Sequence, residues 1–181
     1  MKFNLYGSNS SKKLAFLLIP SIIGLSACTL DGGSPNSKNS NSQKVGSMNQ
    51  ENSQYLQVTG SAGKEPKLGQ PSGNAPTELY SRDLISGTGA SALSTSTLTV
   101  HYVLASWSTG KVIQSSWTTG SPATFPLAQV IPGWQQGMPG MKEGGRRLLI
   151  IPPALGYGAQ GAGPIGPNET LIFVVDLVKV A

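Results

Sequence analysis

Charge is scarce in this 181-residue chain: 12% of its residues are Asp, Glu, Lys or Arg, and it carries one cysteine and one histidine. A lone cysteine allows no intramolecular disulfide, so whatever folds here is held by its core. A lone histidine, His101, cannot build a His-based metal site. The formal charge of +5 would suggest a polyanionic partner, but Lys2, Lys12 and Lys13 sit in the first thirteen residues. Ten basic and eight acidic residues remain after them. Their one basic grouping, Lys142, Arg146 and Arg147, is too small to neutralise a run of phosphates, so a nucleic-acid partner is not expected. Long apolar runs are missing as well. The longest, Leu14 to Leu25, is broken by Pro20, Ser21 and Gly24. As a helix it would rise about 18 Å against a hydrocarbon core of about 30 Å, too little for a stable span. What is plentiful is turn-forming material, 23 glycines and 13 prolines, which suits a turn-rich, mostly β protein better than a helical bundle.

The apolar run comes after Lys12-Lys13 and ends in Leu25-Ser26-Ala27-Cys28. A basic segment, a short apolar segment and small residues at the end make a signal peptide. Its last four residues resemble the bacterial lipobox, which implies cleavage before Cys28 and lipidation of that residue. Residues 1–27 are therefore read as a lipoprotein signal peptide, with Cys28 anchoring the chain to a membrane of the cell envelope and the domain exposed on the extracytoplasmic side. Two or more acyl chains suffice for a firm anchor.

From Thr29 to Gln54 the only sizeable apolar residues are Leu30, Val45 and Met48, too few to offset chain entropy. Tyr55, Leu56 and Val58 suggest a short strand, but Gly60, Gly63, Pro66, Gly69, Pro71, Gly73 and Pro76 punctuate the stretch after it. Residues 28–76 are expected to be the lipidated Cys and a flexible linker, and 77–181 the folded domain. Within it, Thr97 to Ala105 alternates as a strand and Lys111 to Ser115 returns antiparallel after the turn at Ser108-Thr109-Gly110. The segment VIPGWQQGM suits a short helix with Pro132 in its first turn and Gly137 near its end. Arg146 to Ile151 and Leu171 to Val180 complete the strands, the last with Phe173, Val175 and Leu177 on one face.

Four segments, VHYVLAS, GKVIQSSW, QVIPGWQQGMPGMKEGGRRLLIIPPALGYGAQG and PNETLIFVVDLVKV, stand in an order that resembles the FKBP family of peptidyl-prolyl cis-trans isomerases across Thr77 to Ala181. The resemblance implies an α+β fold, a curved antiparallel β-sheet wrapped around one short α-helix. It implies a reaction on Xaa-Pro bonds that needs no cofactor and no metal. By the same resemblance Trp134 floors a proline pocket, Tyr102 and Phe173 wall it, and Val130 and Ile131 line the helix side. Ile131 offers a backbone N–H and Tyr157 a hydroxyl to substrate carbonyls, and Ile165 caps the pocket. Taken singly, Phe173 and Val130 read as ordinary core.

Ile113 and Gln114 stand where the family has Phe-Asp, and Ala123 replaces a further wall aromatic. The family's Asp accepts a hydrogen bond from the tyrosine at the Tyr102 position; Gln114 can accept through its carbonyl oxygen but carries no charge. Weaker catalysis and weak macrolide binding are expected. Two functions stay open: an isomerase acting on proline-containing segments of exported proteins, or a low-activity or inactive module that binds such segments as a chaperone. His101 is expected to face away from the pocket. Trp107 and Trp117 flank the first turn as either a binding rim or a cover for the hairpin.

Overall fold

The computed structural model describes residues 50–181. The signal peptide read over 1–27, Cys28 and the linker as far as residue 49 lie outside the described residues. Three short strands come first, β1 (Gln50–Asn52), β2 (Gln57–Thr59) and β3 (Lys67–Leu68), joined as a small antiparallel sheet. The main sheet contains β4 (Tyr80–Ile85), β5 (Thr97–Ser106), β6 (Val112–Ser115), β7 (Ala123–Pro126), β8 (Arg146–Ile151) and β9 (Leu171–Val180). Its order is β4-β8-β9-β5-β6, with β7 also on β5, beside β6. One helix, α1 (Pro132–Gly137), lies against it. This is the antiparallel sheet with a short helix that the sequence led one to expect.

The period of two along each strand sorts side chains between two covered faces. On β9, Leu171, Phe173, Val175 and Leu177 join the cluster around α1, while Ile172 and Val174 join a second cluster on the opposite face. Strand β8 does the same with Leu149 and Ile151 against Leu148 and Ile150. A strand buried on both sides carries a nearly continuous apolar run. RRLLII is such a run, and all six of its residues are buried.

The helix lies close to the sheet because its sequence allows it. Pro132 occupies the first turn, where its missing N–H costs no bond. A Cβ added at Gly133 would collide with the Ile151 side chain, so glycine there is what allows α1 to lie directly on β8 and bury Trp134 to 1% exposure. Past the helix end, Arg147 Nη1 donates to the carbonyl oxygens of Gly137 (2.7 Å), Met138 (3.3 Å) and Pro139 (3.2 Å). The rest of its guanidinium pairs with Asp83 on β4. Its neighbour Arg146, 1% exposed, points to the other face and forms a two-pronged pair with Asp176 (2.5 and 2.8 Å). The two arginines read from sequence as part of a basic patch are buried and paired.

The expectation that everything before residue 77 is flexible linker fails from residue 50, the first described residue, onward. Leu56 and Val58 are buried in the outer cluster with Leu84, Ala105, Leu148, Ile150, Ile172 and Val174. Tyr55 meets Tyr80 and Trp107 edge to face, at 4.9 and 5.8 Å between ring centres. Arg146 donates to the carbonyl oxygens of Gly60 (2.9 Å) and Lys64 (2.5 Å), and the Gly63 N–H donates to Asp176 (3.0 Å). The glycines and prolines that suggested flexibility bend the segment over the outer face of the sheet, where its few apolar residues have an apolar surface waiting. Full burial of side chains this size contributes about 1.5–3 kcal/mol each. Trp107 thereby covers this face.

Leu56→Ala should therefore lower the unfolding free energy by about 2–4 kcal/mol, as for a core leucine. Chemical denaturation that showed no change would return residues 53–76 to the role of a tether.

Candidate functional site

The inner face of the sheet gathers four aromatic rings, three of them around one indole. Trp134 comes from α1, Phe173 from β9, Tyr102 from β5 and Phe125 from β7. Phe173 meets Trp134 edge-on at 5.3 Å between centres, Phe125 does so at 6.0 Å and Tyr102 at 6.1 Å. Tyr102 also lies 6.2 Å from Phe125 and 6.3 Å from Phe173. Edge-to-face contacts of this kind add about 0.5–1.5 kcal/mol per pair beyond the area they bury, and they fix ring orientation. Val130, Ile131 and Ile165 are buried in the same cluster, and Ile113, Ala123, Leu155 and Tyr157 pack against it partly buried.

Polar groups in this cluster are few and largely free. The Ile131 carbonyl accepts from the N–H groups of Trp134 (3.0 Å) and Gln135 (3.2 Å), while the Ile131 N–H has no partner among the described residues. Trp134 Nε1 is buried without a partner there. Neither the Tyr102 nor the Tyr157 hydroxyl forms a hydrogen bond within the described residues. Burial raises the Tyr102 hydroxyl above its ordinary range. Burial pushes Tyr157 up to about 12, with a further contribution from the neighbouring Tyr102. The arrangement is a buried aromatic cluster with one free backbone donor and two phenols that stay protonated at neutral pH.

Tyr157 and Ile165 are held by a loop that needs its glycines. Ala162 and Ile165 exchange two backbone bonds of 2.9 Å, and Gly161, at φ 65°, packs so tightly on the Ile165 carbonyl that a Cβ would overlap it. Beside this loop, Val112, Ile113, Pro164 and Gly166 line a groove of about 470 Å³.

Comparison with known proteins decides what this recess belongs to. A family model described as FKBP-type peptidyl-prolyl cis-trans isomerase matches residues 89–178. An FK506-binding protein of Streptomyces anulatus is 49% identical over 121 residues, 65% of this chain and 98% of the relative. The chain belongs to the FKBP-type peptidyl-prolyl cis-trans isomerase family. The peptidyl-prolyl cis-trans isomerase Mip of Coxiella burnetii is 54% identical over 72 residues, 39% of this chain and 31% of Mip. Among solved structures, AtFKBP13 superposes with a TM-score of 0.54 at 36% identity, covering 59% of this chain and 96% of that one.

The residues the FKBP resemblance singled out meet in one place, with one exception. Tyr102, Val130, Ile131, Trp134, Ile165 and Phe173 share a cluster that Ile113 and Tyr157 flank. Gln114 does not take the acceptor role. Its register opposite Leu104 puts it on the inner side of β6, but at the open edge of the sheet, where it is exposed and makes no hydrogen bond to Tyr102. One ring escaped the sequence reading. Phe125 sits two residues beyond Ala123 on the same face of β7, opposite Leu98, and supplies an aromatic wall next to the position where Ala123 lacks one. The alternation in ATFP was the signal available for it.

Phe125→Leu, which removes the edge-on contacts to Trp134 and Tyr102, should lower isomerase kcat/KM by about three- to tenfold, the range that either contact alone would set, while Gln114→Ala should stay within about twofold of wild type. A protease-coupled assay on a proline tetrapeptide distinguishes the two; equal losses would mean that the edge residue matters as much as the ring.

Proposed function

We propose that this FKBP-type isomerase acts on Xaa-Pro bonds of exported, still-unfolded polypeptides, held at the extracytoplasmic face of the cell envelope by a lipid on Cys28. The observation that carries the catalytic part of this reading is the set of three aromatic rings edge-on to the buried Trp134, with the Ile131 N–H and the two phenols without partners among the described residues. Rotation about a prolyl amide faces a barrier of about 18–20 kcal/mol because resonance is lost on the way. Water bonded to the carbonyl strengthens that resonance, so a pocket that strips the water away favours the twisted form. In this assignment Trp134 supports the proline ring, and Tyr102, Phe125 and Phe173 enclose it. The free Ile131 N–H and the Tyr157 hydroxyl receive substrate carbonyls, and Val130 and Ile165 close the sides. Neither a nucleophile nor a proton relay enters the scheme.

Ile113 and Ala123 carry no rings at two rim positions, which supports slower turnover and weak macrolide binding. The same two residues support the second reading, a module that holds proline-containing segments with little catalysis. A protease-coupled assay of the purified protein separates them: turnover that responds to Trp134→Ala establishes the isomerase, and peptide binding without turnover establishes the module.

Because the phenols titrate far above neutrality, kcat/KM should be flat between about pH 6 and pH 8. The folded state holds the Tyr157 proton more tightly than the unfolded chain does. Its contribution to stability is therefore complete below about pH 10 and lost as the pH rises through about 12. A bell-shaped profile centred near neutrality would overturn catalysis by desolvation. For the anchor, Cys28→Ser should move the protein to the soluble fraction or leave the uncleaved precursor, as read by phase partitioning and mass; unchanged partitioning would refute lipidation.

A further inference from the structure

Strand β5 has one edge on β9 throughout, while its other edge is shared. Strand β7 pairs from Thr97 to Val100 and β6 from Val103 to Ala105, leaving His101 and Tyr102 without a strand partner on that side. The gap exists because residues Ser116–Thr119 leave the sheet as a short 3-10 turn between β6 and β7. In the gap stands Ser116, 7% exposed. Its Oγ accepts the Tyr102 N–H at 2.9 Å and lies 3.4 Å from the Tyr102 carbonyl oxygen as a donor. One hydroxyl replaces the missing rung of the ladder at the residue whose ring walls the recess.

We propose that Ser116 is a positioning residue for catalysis, fixing the β5 backbone at Tyr102 so that its ring and hydroxyl keep their place beside Trp134. The inference rests on the isomerase reading above and on Tyr102 acting within it. A buried backbone N–H without an acceptor is costly, so without this hydroxyl the strand at Tyr102 would shift toward another partner or admit water. Either response moves the wall of a pocket whose chemistry depends on being dry. His101 completes the arrangement from the outer face. Its Nδ1 lies 3.0 Å from the same Oγ, and its ring stacks on Trp117 at 3.9 Å between centres. If Nδ1 accepts, the Ser116 proton goes to it; if Nδ1 carries hydrogen, that proton is free for the Tyr102 carbonyl. In both cases Oγ still accepts the Tyr102 N–H, so the positioning bond is compatible with the flat pH profile.

Ser115 provides the control. It stands next in sequence and is likewise buried, but its hydroxyl serves other ends, donating to Glu65 at 2.7 Å and accepting the Trp117 N–H at 3.2 Å. Its hydroxyl makes no hydrogen bond to Tyr102. The test compares Ser116→Ala, Ser116→Thr and Ser115→Ala in the full protein, reading kcat/KM, melting temperature and amide hydrogen exchange at Tyr102. Ser116→Ala should lose about fivefold in kcat/KM and speed Tyr102 exchange at least tenfold. Ser116→Thr, which keeps the hydroxyl, should recover both to within about twofold, and Ser115→Ala should lose stability while keeping kcat/KM and Tyr102 protection. If Ser116→Ala unfolds at the assay temperature, Ser116→Cys, a weak acceptor of similar shape, is read in its place. Full activity in Ser116→Ala, or an equal loss in Ser115→Ala, would overturn the proposal. An inactive wild-type protein would overturn the isomerase reading instead, a result visible before any variant is compared.

Discussion

Strand β8 brings two consecutive arginines into a sheet that is covered on both sides, and the alternation of a strand sends them in opposite directions. Arg147 goes inward, ties the carbonyls at the end of α1 and pairs with Asp83 of β4. Arg146 goes outward, pairs with Asp176 and holds two carbonyls of the segment that crosses the outer face. Buried guanidinium groups are tolerated only when their charge and donors are matched, and removing one partner of the buried Arg146–Asp176 pair costs about 3–5 kcal/mol, whereas Asp83, the partner of Arg147, is exposed and its pair is worth less. Neither arginine can be satisfied unless the element it reaches is in place. The position of α1, and through it of Trp134, is thus coupled to β8 from one side, and the outer segment is coupled to β8 and β9 from the other.

That coupling explains how so short a helix can hold Trp134 at the centre of the aromatic cluster. Six residues supply too few internal hydrogen bonds for a helix to persist in water. Here the close contact allowed by Gly133, the carbonyls held by Arg147 and the three rings set edge-on around the indole of Trp134 supply the rigidity that length supplies elsewhere. In the proposed scheme rigidity of the floor matters because the chemistry asks only for exclusion of water and correct placement of two or three donors. A mobile floor would let water follow the substrate in.

The inner half of this architecture was legible in the sequence, and the outer half was not. Strands β5, β6, β8 and β9 and the helix announced themselves by alternation, by Pro132 and by glycines at their ends, and the resemblance gathered Tyr102, Val130, Ile131, Trp134, Tyr157, Ile165 and Phe173 into one pocket. What failed was the segment from residue 50 to 76, and strands β4 and β7 of the main sheet were not singled out either. Its apolar content is low, and composition alone registers only what a segment could bury against itself. Leu56 and Val58 find their partners in Leu148, Ile150 and Val174, far along the chain, on a face of the sheet that the apolar run in β8 had already declared needed covering. Phe125 was missed for the converse reason: Ala123 drew attention as a departure from the family, and the ring two residues on was not asked to compensate. Gln114 was given a role by correspondence that its place at a sheet edge does not support.

The departures from the family cluster at one side of the recess, which bears on how they act. Ile113 and Gln114 belong to β6, the edge strand, and Ala123 lies on the adjoining β7, whereas Trp134, Phe173 and Tyr102 belong to the helix and the two central strands. Side chains without rings at 113 and 123 leave the floor and the inner walls intact and change only the rim, where Ile113 lines a groove with Val112, Pro164 and Gly166. A proline seated on Trp134 would still be dry beneath and partly wet along its β6 side. In the desolvation scheme that partial wetting raises the barrier without abolishing the pocket, since each 1.4 kcal/mol is a factor of about ten in rate. Loss of a floor residue and loss of a rim residue therefore differ in kind: the first removes the place where the amide twists, and the second changes how much water sees it twist.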